Sequence, residues 1–367
     1  MSQIRILLIQ LASNGDCLFV TAIARQIKEI DHPGCHLSWL IGSKYAPVLS
    51  GNKYVDEIIQ IPLTEVTDIE NQRNKIDEHI KNIDRKFDRI FITDFVPANK
   101  KNVFGPIRSI LFRNYPHRIK GNPQPVICLT DTEKNNVELF CKKNEITDNT
   151  INILFECEPL SQQSPMNFER SRLLAEYISG QNPNIKFILS SNRVFKSTNS
   201  KIIDGSVITW RENAELANHC QLLIGCSSGI SWLCTSSWTK PIKTIQVINS
   251  DWADGLCSAS MKVDFKFFNI DDSNVIELSN PTDELLKGCV VASIDNFSDA
   301  KKKYDTDNYK IFSNYKLLKE AHMPYFEKLA FSLKYLFTSY FVETFYRSVK
   351  PDWFAPKRWF GKIINQL

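Results

Sequence analysis

The sequence is short of several features that mark familiar function classes. Its 367 residues include only 13 glycines, and nowhere do they fall as G-x-G-x-x-G. That spacing lets a backbone close on a dinucleotide pyrophosphate, and no acidic residue ends the second predicted strand, so a nicotinamide dehydrogenase is disfavoured. The ten cysteines never stand as C-x-x-C, which leaves a structural zinc site without its usual ligand spacing. Cysteines inside apolar segments such as Ile127-Cys128-Leu129 read instead as small core side chains in a reducing compartment. Charge of one sign is scarce as well. With 45 Lys and Arg against 41 Asp and Glu, the net charge of +4 argues against nucleic acid as the main partner. No apolar run approaches the roughly 20 residues that span a bilayer. Met1 leads straight into a strand pattern broken by Arg5, with no small-residue cleavage site, so no signal peptide is expected. The expectation is a cytoplasmic protein, or one on the cytoplasmic face of a membrane.

What is present is alternation. Arg5 to Gln10 is an apolar run of strand length, followed by the turn-and-cap composition Ala12-Ser13-Asn14-Gly15-Asp16. Cys17 to Ile30 has helical spacing. His36 to Ile41, Val55 to Ile61 and Arg89 to Thr93 read as further strands, with a charged surface helix over Thr67 to Arg85. A break rich in Pro, Gly and Asn follows at Tyr115 to Pro125, then a polar stretch up to Asn149. The alternation restarts with strands at Ile151 to Phe155, Ile185 to Leu189, Val207 to Thr209, Leu222 to Ile224 and Ile242 to Val247. Helices are expected at Phe168 to Ser179, Glu212 to Asn218 and Ile230 to Ser236. Strands and helices of this length imply α/β halves with parallel sheets, each covered on both faces. The predicted division is 1–145, 146–300 and a helical, aromatic, basic extension over 301–367.

In open parallel sheets ligands bind beyond the carboxyl ends of the strands, and that rule selects a few loops. The first is Ser13-Asn14-Gly15-Asp16, where Gly15 suits a tight turn or a close ligand and Asp16 stands at a helix start that favours its ionised form. A plain Asp cap gives the same spacing. The second is Gly225-Cys226-Ser227-Ser228-Gly229 between a strand and a helix, where amides and hydroxyls would converge on phosphate oxygens. An ordinary Ser-capped helix is the plain alternative. The same five residues fit G-x-S-x-G, but the only histidine after them is His322, outside the strand-helix pattern, which disfavours a hydrolase triad. Arg193, after the 185–189 strand, suits a diphosphate or simple solvation.

Taken together, these loops resemble the heptosyltransferase family, glycosyltransferase family nine. The resemblance rests on the first strand with Ser13-Asn14-Gly15-Asp16, on Pro47 to Ser50, and on Val55-Asp56-Glu57-Ile58-Ile59. It continues through Ala214-Glu215-Leu216-Ala217, Gln221 to Gly229 and Lys240-Pro241, in order from residue 5 to about 250. The run Ser228-Gly229-Ile230-Ser231-Trp232-Leu233 looks closest to the autotransporter heptosyltransferase branch, whose acceptor is a protein. The resemblance implies a GT-B fold, two Rossmann-like halves facing a cleft. It further implies inverting, metal-independent transfer from a nucleotide-diphospho-sugar used as co-substrate, with no other cofactor. Asp16 would be the general base, already ionised at neutral pH, beside the acceptor-side turn Ser13, Asn14 and Gly15. Gly225, Ser227, Ser228 and Gly229, with Arg193, would hold the donor phosphates.

The chain departs from the family pattern at three points. Ser227 stands where the family has an acidic residue, Trp232 replaces the following His, and Ser161 to Pro165 offers no phosphate-binding lysine. The donor is therefore open, with ADP-sugars favoured over other nucleotides. The acceptor would be a bacterial surface glycan, lipid-linked, or a protein. A catalytically degenerate binding protein and another nucleotide-sugar enzyme, such as an epimerase, stay open as alternatives. At the C-terminal end, residues 324–346 suit a helix packed back on the first half. Residues 347–367 carry Arg347, Lys350, Lys357, Arg358 and Lys362 among Trp353, Phe354, Trp359 and Phe360, which suits an anionic membrane surface.

Overall fold

A computed structural model describes residues 3–62, 69–83, 87–96, 99, 102, 105–159, 161–250 and 257–305. The expectations for residues 306–367 lie outside them. In the first half, β1 (Arg5–Ile9) leads through α1 (Asn14–Gln26) to β2 (His36–Gly42), β3 (Glu57–Ile61), α2 (Ile69–Ile83) and β4 (Arg89–Ile92). These strands form a parallel sheet in the order β3-β2-β1-β4. Alternation along β1 sends Ile6 and Leu8 to one face, under α1, and Leu7 and Ile9 to the other, against Ile76 of α2. Burying such side chains contributes about 1.5–3 kcal/mol each.

The chain continues through β5 (Gly105–Pro106), α3 (Ile107–Asn114) and α4 (Asp131–Lys143) into the second half. There follow β6 (Ile151–Glu156), α5 (Phe168–Gln181), β7 (Ile185–Ser190), β8 (Ile202–Asp204), α6 (Asn213–Leu216), β9 (Leu222–Gly225), α7 (Gly229–Leu233) and β10 (Lys243–Ile248). Last come β11 (Cys257–Ser258), α8 (Met261–Phe267), β12 (Val275–Ser279), α9 (Asp283–Asp295) and α10 (Phe297–Tyr304). The second parallel sheet runs β12-β10-β9-β6-β7-β8, and the pair β5–β11 bridges the two halves. Both large sheets start in the middle and are extended first to one side, then to the other. Each therefore has a switch point, at β1/β4 and at β6/β9, where the flanking loops part and leave a crevice.

Several elements differ from the sequence pattern. The strand expected at Val207 to Thr209 is a turn, and the strand itself lies earlier, at β8. Asp204 Oδ1 accepts from the Ser206 amide at 2.9 Å, which closes an Asx turn and ends the strand. Val207, the first residue of the expected strand, is 68 % exposed. The polar stretch before Asn149 contains α4, started by a capping box between Thr130 and Glu133. Its buried residues Val137, Phe140 and Cys141 pack against Leu154, Ile188 and Leu223 of the second sheet, although α4 precedes residue 145. The helices expected at 212–218 and 230–236 are shorter, with α6 passing into a 3-10 turn.

The two halves are packed together. Phe19 of α1 meets Trp232 of α7 edge to face, with ring centroids 5.0 Å apart. Arg108 of α3 forms a buried ion pair with Asp264 of α8 and lies over the rings of Phe19, Trp232 and Phe268. Arg211 reaches from the second half to Glu133 at 2.6 Å and to the Pro47 carbonyl at 2.9 Å. Among the described residues no helix is long and apolar enough to cross a membrane.

Candidate active site

At the β1/β4 switch point the backbone leaves β1 and turns into α1 at Ser13. Ser13 is the N-cap, and its Oγ accepts from the Asp16 amide at 3.4 Å. Asp16 is thus not the cap; it projects from the first turn and is partly buried. Burial is the main cause that pushes its carboxyl up to about 7, the nearby charge of Asp94 adds to this, and the bonds to Ser13 oppose it. The expectation that Asp16 is fully ionised at neutral pH is therefore corrected: near pH 7 it is divided between acid and base. Gly15 is not required by the turn. Its backbone is helical, and an added Cβ would meet nothing within 4 Å.

Asp94 was not singled out in the sequence. It follows β4, is 2 % exposed, and accepts from the Leu11 amide at 2.7 Å and the Phe95 amide at 2.8 Å. Burial pushes its carboxyl up to about 6, against the pull of those two amides. The only signal for it was a polar pair, Thr93-Asp94, closing an apolar strand.

At the β6/β9 switch point the predicted phosphate loop is engaged from within the chain. Glu156, the last residue of β6, is 3 % exposed and accepts from the Cys226 amide at 2.8 Å and the Ile230 amide at 3.1 Å. It also accepts from Ser231 Oγ at 2.5 Å and from Ser228 Oγ. Gly225 and Ser227 are buried, and Ser227 donates to the Ala259 carbonyl, so neither presents a surface to a ligand. Ser228 and Gly229 are partly exposed. A Cβ on Gly229 would stand 2.7 Å from Nε1 of Trp210, so the indole leaves no room for a side chain. Arg193 is exposed and already paired with Glu158, its Nε donating at 2.8 Å. Trp232, in place of the family's histidine, is a core residue.

The Phe19–Trp232 contact joins α1 and α7, the helices that leave the two loops. Asp16 stands three residues before Phe19 and Gly229 three before Trp232, so each lies about 4.5 Å along its helix from that shared contact. Among the described residues no group of three or more His, Cys, Asp or Glu is placed to hold a metal ion.

No protein-family profile and no curated protein sequence matches the chain. Solved structures do. A glycosyltransferase of family 9 from Veillonella parvula superposes over 82 % of this chain and 94 % of its own, with a TM-score of 0.53 and 15 % identity. The fold of this chain is similar to that of a family 9 glycosyltransferase. Escherichia coli heptosyltransferase WaaC with ADP covers 81 % of this chain and 100 % of its own, with a TM-score of 0.45 and 13 % identity. A UDP-GlcNAc 2-epimerase from Neisseria meningitidis covers 83 % of this chain and 95 % of its own, with a TM-score of 0.44 and 8 % identity. The expected two-sheet architecture is thus present over the described residues, with four and six strands in its large sheets.

Proposed function

We propose that the chain is an inverting, metal-independent glycosyltransferase that uses a nucleotide-diphospho-sugar, with Asp16 as its general base. One observation carries the reading: Asp16, partly exposed, stands on the first turn of α1 at a sheet switch point, beside the buried carboxyl of Asp94. In the reaction the acceptor hydroxyl oxygen bonds to the anomeric carbon as the carbon–phosphate oxygen bond breaks. The hydroxyl proton passes to Asp16 and the nucleoside diphosphate leaves. A base whose pKa lies near the working pH combines availability with proton affinity. On the donor side, Ser228 and Gly229 form the accessible rim, and Arg193 would have to turn from Glu158 to reach a phosphate. ADP-sugars are the favoured donors, and a bacterial surface glycan, lipid-linked, or a protein is the favoured acceptor.

A second reading, a binding protein that keeps the fold without the chemistry, is favoured by Glu156, which already satisfies the Cys226 and Ile230 amides. A thermal-shift panel of ADP-, UDP-, GDP- and CMP-sugars separates the two when followed by product analysis. A donor at 100 times its Kd stabilises the fold by about 2.7 kcal/mol. Stabilisation with release of nucleoside diphosphate supports the transferase, stabilisation without release supports the binding protein, and no shift with any sugar removes both.

A further inference from the structure

At the β6/β9 switch point a carboxylate does what a bound anion would do. Two amides and two hydroxyls, from Cys226, Ile230, Ser228 and Ser231, all donate to Glu156. These are the donor types that hold phosphate oxygens. A second observation lies beside them. Gln246 has no exposed surface, and neither its Oε1 nor its Nε2 has a hydrogen-bond partner among the described residues. Strand register sets it opposite Gly225, where an added Cβ would collide with both the Gln246 carboxamide and the Ser231 hydroxyl. The carboxamide therefore adjoins the cluster with its donors and acceptor unspent, and a buried amide of that kind is destabilising until a further group completes it.

We propose that Glu156 is an internal competitor for the donor diphosphate, holding the 226–231 loop until nucleotide displaces it from the Cys226 and Ile230 amides. The transferase reading enters only in naming the anion. A carboxylate and a phosphate cannot share these donors, because two like charges in one small site repel strongly. Nucleotide binding is thereby coupled to a side-chain movement, and Glu156 sets the affinity. Once Glu156 leaves, the buried Gln246 carboxamide lies beside the donors it vacates, with its own hydrogen bonds still to be made.

The test is calorimetric titration of the full chain with inorganic pyrophosphate and with ADP, in the wild type, Glu156→Gln and Glu156→Asp. Glu156→Gln keeps the shape and drops the charge, and is expected to bind both probes about tenfold tighter or more. Glu156→Asp, one methylene short of the loop, is expected to fall between it and the wild type. Adding Ser231→Ala to Glu156→Gln removes a donor and is expected to reverse part of the gain, which localises the site. Unchanged or weaker pyrophosphate binding by either variant that folds overturns the proposal. So does a wild-type structure saturated with pyrophosphate in which Glu156 still holds the loop. Pyrophosphate carries no sugar, so tighter binding without any sugar transfer keeps this inference and removes the transferase. Transfer without tighter binding removes this inference alone.

Discussion

Asp16 and Asp94 lie close enough for the charge of one to hold the other's proton on. If Asp16 is the base, the transfer rate rises with pH through about 7, as its carboxyl ionises. Asp94→Asn removes the neighbouring charge, so the midpoint of that limb is expected to move to lower pH. A pH–kcat/KM profile of the two proteins checks this, and an unmoved midpoint would detach Asp94 from the site. Asp16→Asn is expected to lower transfer by about 10²–10⁴-fold while nucleotide affinity stays within a few-fold, read by product formation and titration. Near-normal turnover would leave Asp16 as a helix-turn residue. Stability follows the same groups. Both carboxyls are raised in the folded state, so between about pH 4 and 7 the folded chain keeps protons that the unfolded chain has released. Their contribution thus weakens as pH rises through that window, and denaturant midpoints taken across it measure the slope.

At the scale of elements, the helices are fixed by caps at their starts and by a few charged ties between them. Thr130→Ala removes one side of the α4 capping box and is expected to cost about 1 kcal/mol, read as a shift in denaturant midpoint. The Arg108–Asp264 pair between α3 and α8 is of another order. Asp264→Ala leaves a guanidinium buried among Phe19, Trp232 and Phe268, and breaking such a pair costs about 3–5 kcal/mol. A loss below about 1 kcal/mol on that substitution would mean that the two halves do not rely on the pair.

For the whole molecule, the prediction concerns the end of the chain, beyond the described residues. Residues 347–367 hold five basic residues against one acid, Asp352, with two Trp and two Phe. Each basic residue near an anionic surface contributes about 1 kcal/mol, and prolines at 351 and 356 disfavour a core helix. A chain ending at residue 346 is expected to lose co-sedimentation with phosphatidylserine vesicles at low salt, with its melting temperature nearly unchanged. Equal binding by both lengths, or a large fall in melting temperature, would mean that this segment packs on the protein.

Local pattern was enough for most strands and for the loops after them. The apolar runs beginning at Arg5, His36, Ile151 and Ile185 become strands because a parallel sheet covered on both faces buries all but one residue of each run. The turn at Ser13 and the Ser-Gly loop at 227–229 were legible from composition. What lies in those loops was not. The separation of 70 positions between Glu156 and Cys226 hides their hydrogen bond from any local pattern. It forms because the strand order sets β6 beside β9, so that a residue ending one strand meets the loop leaving the other. The same pairing of β1 with β4 lays Asp94 under the Asp16 turn, and it is burial there, a property of the assembled sheet, that moves Asp16 from an ordinary carboxylate to one that titrates near neutrality. Residue type and spacing determined where loops would gather; sheet order and burial decided which of their groups are already engaged and which remain free for a ligand.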